Sequence, residues 1–283
     1  MEHARAFIKM HGLGNDFVVV DARREPFALD SAAAKRIAER REGIGCDQII
    51  VMEPPSPEND ADVFMRIRNA DGSEVSACGN ATRCVAARLL AETGRDSVTV
   101  ETRAGLLRAW ASGAGADGVA VDMGAAHTSW REIPLAYEAD TLHLPLKHGP
   151  LSDPVAVSMG NPHAVFFVAD AERIDLETLG PVLEHDPLFP ERANISAAQV
   201  EGPDSIRLRV WERGVGITRA CGTAACAAAV AGVRRGLTNR RVRVRLDGGT
   251  LDLEWRAEDG HVIMAGPVAE SFTGVMDGSL LAA

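Results

Sequence analysis

The chain of 283 residues is 46% hydrophobic and 25% charged, the balance of an ordinary globule, and is long enough for one large domain or two modest ones. A net charge of −10 argues against nucleic acid or an anionic membrane as partner, since both require a basic face, but leaves room for a small anionic substrate held by a few local donors. The opening MEHARAFIKM carries no secretory signal, and the longest strongly apolar run, 224–233, is about half of what a bilayer span needs, so a soluble cytoplasmic protein is expected.

Along the chain, short apolar or alternating runs predict strands at Phe17–Val20, Ile49–Met52, Val63–Ile67, Val98–Val100 and Val119–Met123. After Cys78-Gly79 a helix is expected: Ala81, Val85 and Leu89 share one face, Ala86 and Leu90 lie beside them, and Gly94 ends the run. Further strands are expected at Val155–Ser158, Val165–Val168 and Ile206–Trp211. A second helix, Ala224 to Val233, follows Cys221-Gly222 and closes in Arg234-Arg235-Gly236. It is apolar all round, the mark of a helix buried on every side. Val242–Leu246, the turn Asp247-Gly248-Gly249 and Leu251–Trp255 predict a hairpin.

These elements repeat. Met65-Arg-Ile-Arg-Asn69 leading to Ala77-Cys-Gly79 aligns with Leu208-Arg-Val-Trp-Glu212 leading to Ala220-Cys-Gly222, at a constant offset (209 − 66 = 143; 221 − 78 = 143). Upstream, 10–21 matches 159–170, and downstream 99–105 echoes 244–249. Matches in one order imply a duplicated chain, with halves at 1–124 and 125–266 and a tail, 267–283, packing back on the first half. The expected fold class is α+β: two pseudo-symmetric halves, each a curved mixed β-sheet wrapped around a central helix.

Five cysteines is an odd number, and none form a CxxC pair; reduced thiols are the simplest reading. Only Lys9, Lys35 and Lys147 could form a Schiff base, and none lies beside a glycine-rich phosphate loop, which argues against pyridoxal phosphate. Cys78 and Cys221 each open a helix. Unpaired N–H groups and partial positive charge there lower a thiol's pKa and can cradle a carboxylate. One such cysteine would pass for a small buried hydrophobe; two at equivalent positions of a duplicated chain point to chemistry. Inverting a carbon that bears hydrogen requires proton removal on one face and delivery on the other, the work of one thiolate and one thiol, with the helix N-termini stabilising the charge that the carboxylate takes up.

The segments His11-Gly-Leu-Gly-Asn-Asp-Phe17, Gly45-Cys-Asp-Gln48, Asn69-Ala-Asp-Gly-Ser-Glu74, Cys78-Gly-Asn80, Met159-Gly-Asn-Pro-His163, Glu212-Arg-Gly214 and Ala220-Cys-Gly222 together resemble the diaminopimelate epimerase family over nearly the whole chain. The resemblance implies two halves closing over a small amino-acid substrate. It also implies interconversion of LL- and meso-2,6-diaminopimelate in lysine and peptidoglycan-precursor biosynthesis, no cofactor or metal, and a homodimer. On these positions it makes Cys78 and Cys221 the acid–base pair, acting toward the L- and D-configured centres respectively. Gly79, Asn80, Gly222 and Thr223 would hold the reacting carboxylate, and His163 and Glu212 would assist at that centre. Asn15, Gln48, Asn69, Asn161, Asn194 and Arg213 would surround the distal end. Cys46, Cys84 and Cys226 are assigned to packing. Ala81 and Ala224 stand where many members carry glycine, and Ile217 where an acidic residue is common. The competing readings are a racemase of another amino acid within the same two-cysteine superfamily, and a non-enzymatic metal or redox protein built on Cys78, Cys221, His11 and His163.

Overall fold

A computed structural model describes residues 4–113 and 118–281. The chain forms two compact units, Met1–Val121 with Gly266–Ala283, and Asp122–Ala265. The fold is α+β, mixed sheet with few helices, as the sequence leads one to expect.

The first unit runs β1 (Arg5–Gly12), β2 (Asn15–Asp21), α1 (Ser31–Ala38), β3 (Gln48–Glu53), β4 (Val63–Asn69), β5 (Glu74–Val75), α2 (Gly79–Thr93), β6 (Ser97–Thr102), β7 (Gly105–Ala111) and into β8 (Gly118–Ala125). A small hairpin, β9 (Lys147–His148) and β10 (Leu151–Ser152), precedes the repeat of this order. The repeat is β11 (Val155–Ser158), β12 (Pro162–Phe167), α3 (Leu176–Glu184), β13 (Asn194–Gly202), β14 (Ser205–Glu212), β15 (Gly216–Ile217), α4 (Gly222–Arg234), β16 (Arg241–Leu246), β17 (Gly249–Trp255) and β18 (His261–Pro267). The chain ends with β19 (Ala269–Met276), antiparallel to β1.

Pairing repeats as well. β1–β2 and β11–β12 are antiparallel, whereas β2–β3 and β12–β13, joined through α1 and α3, are parallel. β3–β4 and β13–β14 are antiparallel; β4–β6 and β14–β16, joined through α2 and α4, are parallel. The pseudo-symmetry is therefore one of register and connection order.

Helices cover both faces of each sheet, which is why several strands read as continuous apolar runs. Alternation along β2 sends Val18 and Val20 into a core shared with Ala34 and Ile37 of α1. The opposite face carries Asn15, Phe17 and Val19. In β12 the same alternation puts Ala164 and Phe166 against Leu176, Leu179 and Leu183 of α3, leaving His163 and Val165 on the other face. The helix α4 packs against β11, β12, β13, β14, β16 and β17. Its residues Ala224 to Ala231 are all fully buried, and alanine is what permits so close an approach of strands on several sides. The helix α2 ends at Gly94, whose φ of 65° places it in the left-handed region that glycine tolerates and closes the last turn onto the Leu90 carbonyl.

Candidate active site

Cys78 and Cys221 occupy the same structural position. Each is the N-cap of its helix, α2 or α4, in extended conformation (φ −149° and −125°). Neither side chain makes a capping hydrogen bond to its own helix start by the usual N-cap geometry.

In the first unit, the Cys78 thiol donates to Asn15 Oδ1 across 3.8 Å, and Asn80 Nδ2 donates to the same oxygen at 3.1 Å. The Asn80 oxygen in turn accepts from Arg83 Nη2 at 2.9 Å; Asn80 and Arg83 are buried. Asn15 Nδ2 donates to Asp47 Oδ2 at 2.9 Å. Asp47 also accepts from Arg40, which grips Asp16 with two hydrogen bonds, and Asp16 pairs with the buried Lys9. These cations hold the Asp16 carboxyl far below the usual carboxylate range against the opposing effect of burial. Gln48 and Asn69 form a separate pair, directly opposite across β3 and β4, with Gln48 Nε2 donating to Asn69 Oδ1 at 3.0 Å. Asn69 Nδ2 continues to Ser73 Oγ at 3.1 Å.

In the second unit, Cys221 Sγ lies 3.5 Å from Thr223 Oγ1, which accepts from Asn161 Nδ2 at 3.3 Å. Asn161 Oδ1 lies 3.0 Å from Nε2 of His163, a fully buried ring whose Nδ1 has no hydrogen-bond partner among the described residues. Burial, reinforced by the Arg213 charge, pushes the His163 pKa down to about 3, so the ring is neutral at any physiological pH. Asn194, opposite His163 across the parallel β12–β13 pair, donates to the Pro162 carbonyl at 3.0 Å and accepts from the Arg213 N–H at 2.9 Å. The Arg213 guanidinium donates to the Glu191 carbonyl at 2.8 Å. Thr218 Oγ1 donates to Glu212, the last residue of β14. An open cleft of about 380 Å³ is lined by His127, Glu132, Ser158, Gly160, Asn161 and Glu191 among others.

The sequence suggests a lowered thiol pKa at both helix starts. Cys221 departs from this: its thiol is pushed well above the ordinary value, first by burial and then by the Glu212 carboxylate. Thr223 and the Ala224 N–H pull the other way and are outweighed, because a fully buried sulfur loses more solvation on ionising than one helix terminus restores. Burial also raises the Cys46 thiol to about 11 and the Cys84 thiol to about 12, as inert packing groups. Among the described residues no group of three or more His, Cys, Asp and Glu is placed to hold a metal ion, and no helix is long and apolar enough to cross a membrane.

The structure thus brings Asn15, Cys78 and Asn80 together in one unit and Asn161, His163, Thr223 and Cys221 in the other, with Gly79 and Gly222 opening the two helices. Sequence reasoning passed over Asp47, Arg83 and Thr218. Asp47 stood in plain view, beside Gln48 in the Gly-Cys-Asp-Gln segment. Arg83 gave no signal, since an arginine in a helix reads as a solvated charge until its burial is known.

A family model described as Diaminopimelate epimerase matches residues 7–129 and 155–270. The diaminopimelate epimerase of Rhodospirillum centenum is 60% identical over 277 residues, 98% of this chain and 94% of that protein. That of Acidiphilium cryptum is 58% identical over 282 residues and covers 100% of both. Among solved structures, a probable proline racemase from Agrobacterium radiobacter superposes with a TM-score of 0.70 at 16% identity, covering 96% of this chain and 93% of the other. A phenazine biosynthesis protein of the PhzF family from Bacillus anthracis gives 0.68 at 18% identity, covering 97% and 99%. At these identities the solved structures speak for the fold alone.

Proposed function

The chain belongs to the diaminopimelate epimerase family and is an epimerase acting on diaminopimelate; we propose that it interconverts the LL and meso isomers by a two-base transfer between Cys78 and Cys221. The observation that carries this reading is the repetition, 143 residues apart (221 − 78), of an uncapped thiol at a helix N-terminus with a polar side chain two residues on. One group on each of two equivalent elements is what inversion demands.

In this reading a thiolate removes the α-proton and becomes a thiol, the electron pair stays on the substrate, and the second thiol delivers its proton to the opposite face and becomes a thiolate. Proton exchange with solvent then returns the pair to its starting state for the next turnover in the same direction, while the swapped state serves the reverse reaction. The carboxylate that takes up carbanion charge is held by N–H groups at Gly79–Asn80 and Gly222–Thr223, with Asn80 and Thr223 adding side-chain donors. His163, neutral and buried, is suited to accept or donate one hydrogen bond and unsuited to carry charge. Asn15, Gln48, Asn69, Asn161, Asn194 and Arg213 bind the ammonium groups and the distal carboxylate, Arg213 by a two-pronged contact. We extend the reading to a cytoplasmic homodimer without a cofactor, checked by sedimentation and by metal analysis of the active protein.

The decisive experiment is solvent-deuterium incorporation at the α-carbon of LL- and meso-diaminopimelate. Cys78→Ala and Cys221→Ala should each retain the fold and lose epimerisation by at least ~1000-fold, the loss of an acid–base partner from both directions. Full epimerase activity in either variant would sink the two-base assignment.

A further inference from the structure

Beneath the turn that carries Arg213 lies a buried carboxylate with no place in the proton transfer. Glu184 closes α3, and its side chain is only 3% exposed. Both of its oxygens face donors. Oε2 accepts from the Trp211 indole N–H at 2.7 Å, and Oε1 accepts from the Gly214 N–H at 2.9 Å and from Arg192 Nη1 at 3.2 Å. Trp211 precedes Glu212 and Gly214 follows Arg213, so the carboxylate clasps that pair from both sides. The turn itself closes with the Val215 N–H donating to the Glu212 carbonyl at 3.0 Å, and Gly214, with a φ of 74°, takes the left-handed position in it.

Glu184 also holds the segment on which Arg213 leans. The Arg213 N–H rests on Asn194 and the guanidinium on the Glu191 carbonyl. Between those two residues, Arg192 donates to the Glu184 carboxylate, and the Ala193 N–H donates to the Glu184 carbonyl at 3.3 Å. One residue thus ties turn and seat together. A carboxylate is costly to bury unless its acceptors are met, and an amide would not serve here: glutamine would turn its NH₂ against at least one of the three donors. The first unit is built otherwise. Glu39, which caps the end of α1, is exposed and accepts from the N–H groups of Arg41 and Glu42, and Ala70 takes the place of Arg213 (213 − 70 = 143).

From this geometry we infer that Glu184 is a positioning residue for specificity: it fixes the turn and its seat so that the Arg213 guanidinium is set to receive the distal carboxylate of the substrate. The inference rests on the proposed role of Arg213, and its test separates the two. Glu184→Gln removes the charge and one acceptor with little change of shape. In protein shown by circular dichroism to be folded at the assay temperature, kcat/KM for diaminopimelate should fall ~10- to 100-fold, the effect of displacing a binding group by about an ångström. The double variant with Arg213→Met should fall no lower than Arg213→Met alone, because a guanidinium that is absent cannot be misplaced. An unchanged kcat/KM in Glu184→Gln, or losses that multiply in the double variant, would each overturn the inference; a residue that only stabilises the fold gives one of those two results.

Hydrogen exchange reads the turn without turnover. Gly214 and Val215 are exposed, yet the Gly214 N–H should exchange slowly in the unaltered protein and roughly tenfold or more faster in Glu184→Gln. Should that variant fail to fold, the unaltered protein still decides: a Gly214 N–H that exchanges at the rate of an open turn would overturn the inference. If Arg213→Met alone left kcat/KM for diaminopimelate intact while Gly214 kept its protection, the proposed role of Arg213 would be what fails, and not the hold of Glu184 on the turn.

Discussion

Two side chains in the second unit owe their chemistry to burial more than to charge. His163 titrates near 6.5 when free and near 3 in the fold. Between those values the unfolded chain binds a proton that the folded chain refuses, so the contribution of His163 to stability is whole above about pH 6.5 and declines as pH falls toward 3. By pH 5.5 the loss from this residue alone is about 1.4 kcal/mol. Melting temperatures measured from pH 7 down to 5.5 should therefore fall more steeply for the parent than for His163→Gln; equal slopes would contradict the burial argument. Cys221 behaves in the parallel way, held as a thiol by burial and by Glu212. Glu212→Gln keeps the shape and the link to Thr218 while removing the negative charge. The Cys221 midpoint, read by alkylation against pH, should drop, and turnover should fall with it in the reading that places Glu212 at the reacting centre. The residue types at these positions were legible in the sequence, because glycine, asparagine and cysteine recur at one offset. Their ionisation was not, because the helix terminus is written in the sequence and the extent of burial is not.

Elements were legible in proportion to how clean their pattern is. The runs around Val18, Ile50, Ile67 and Val244 lie in β2, β3, β4 and β16, and the turn at Asp247-Gly248 joins β16 to β17 with Leu246 opposite Gly249. The two central helices begin directly after the cysteines, at Gly79 and Gly222, as expected from the Cys-Gly pairs. The helices α1 and α3 gave no sequence signal. The first is only eight residues long, and the second carries Pro181 within its nine, a residue that argues against helix unless it falls in the first turns or the chain is forced by packing. The force at α3 comes from Trp211. Its indole N–H donates to the buried Glu184 at 2.7 Å, and its ring lies where a Cβ on Gly180 would come within 2.4 Å. Gly180→Ala should accordingly destabilise the protein by about 1–3 kcal/mol, the range for overpacking a filled core, in denaturant unfolding. A neutral result would show that Trp211 has room to move. The strand β13 was missed for a milder reason, since its small and polar residues offer no apolar alternation to read.

At the scale of the whole molecule, duplication supplies the frame and departures from it supply the specificity. Asn69 and Glu212 end β4 and β14 at equivalent positions, and the next residues are Ala70 in one unit and Arg213 in the other (213 − 70 = 143). Phe17 likewise stands where the second unit has His163, two residues after Asn15 and Asn161. In the proposed two-base reading an inversion needs two similar proton carriers, which accounts for matching cysteines; the remainder of the substrate is not symmetric, so the residues around them need not match. A distal carboxylate calls for a cation, and of this equivalent pair only the second unit supplies one. The Arg213 guanidinium is braced by the Glu191 carbonyl, and its N–H by Asn194, so the head group starts from a restricted geometry and loses less freedom on gripping a carboxylate. In the proposed reading, remote binding of this kind contributes to the chemical step, so its loss should appear in turnover as well as in affinity. In the proposed reading, where Asn69, Asn194 and Arg213 admit only an L-configured distal end, lysine, which lacks the distal carboxylate, should be a poor substrate and the DD isomer inert. Arg213→Met should reduce kcat/KM for diaminopimelate by ~100-fold or more while leaving the slow reaction of lysine nearly unchanged, a cost of about 3 kcal/mol for an unmatched charged contact. Discrimination, the ratio of the two kcat/KM values, is the quantity to follow. Efficient racemisation of lysine by the unaltered protein would place the specificity elsewhere and favour a racemase of broader range.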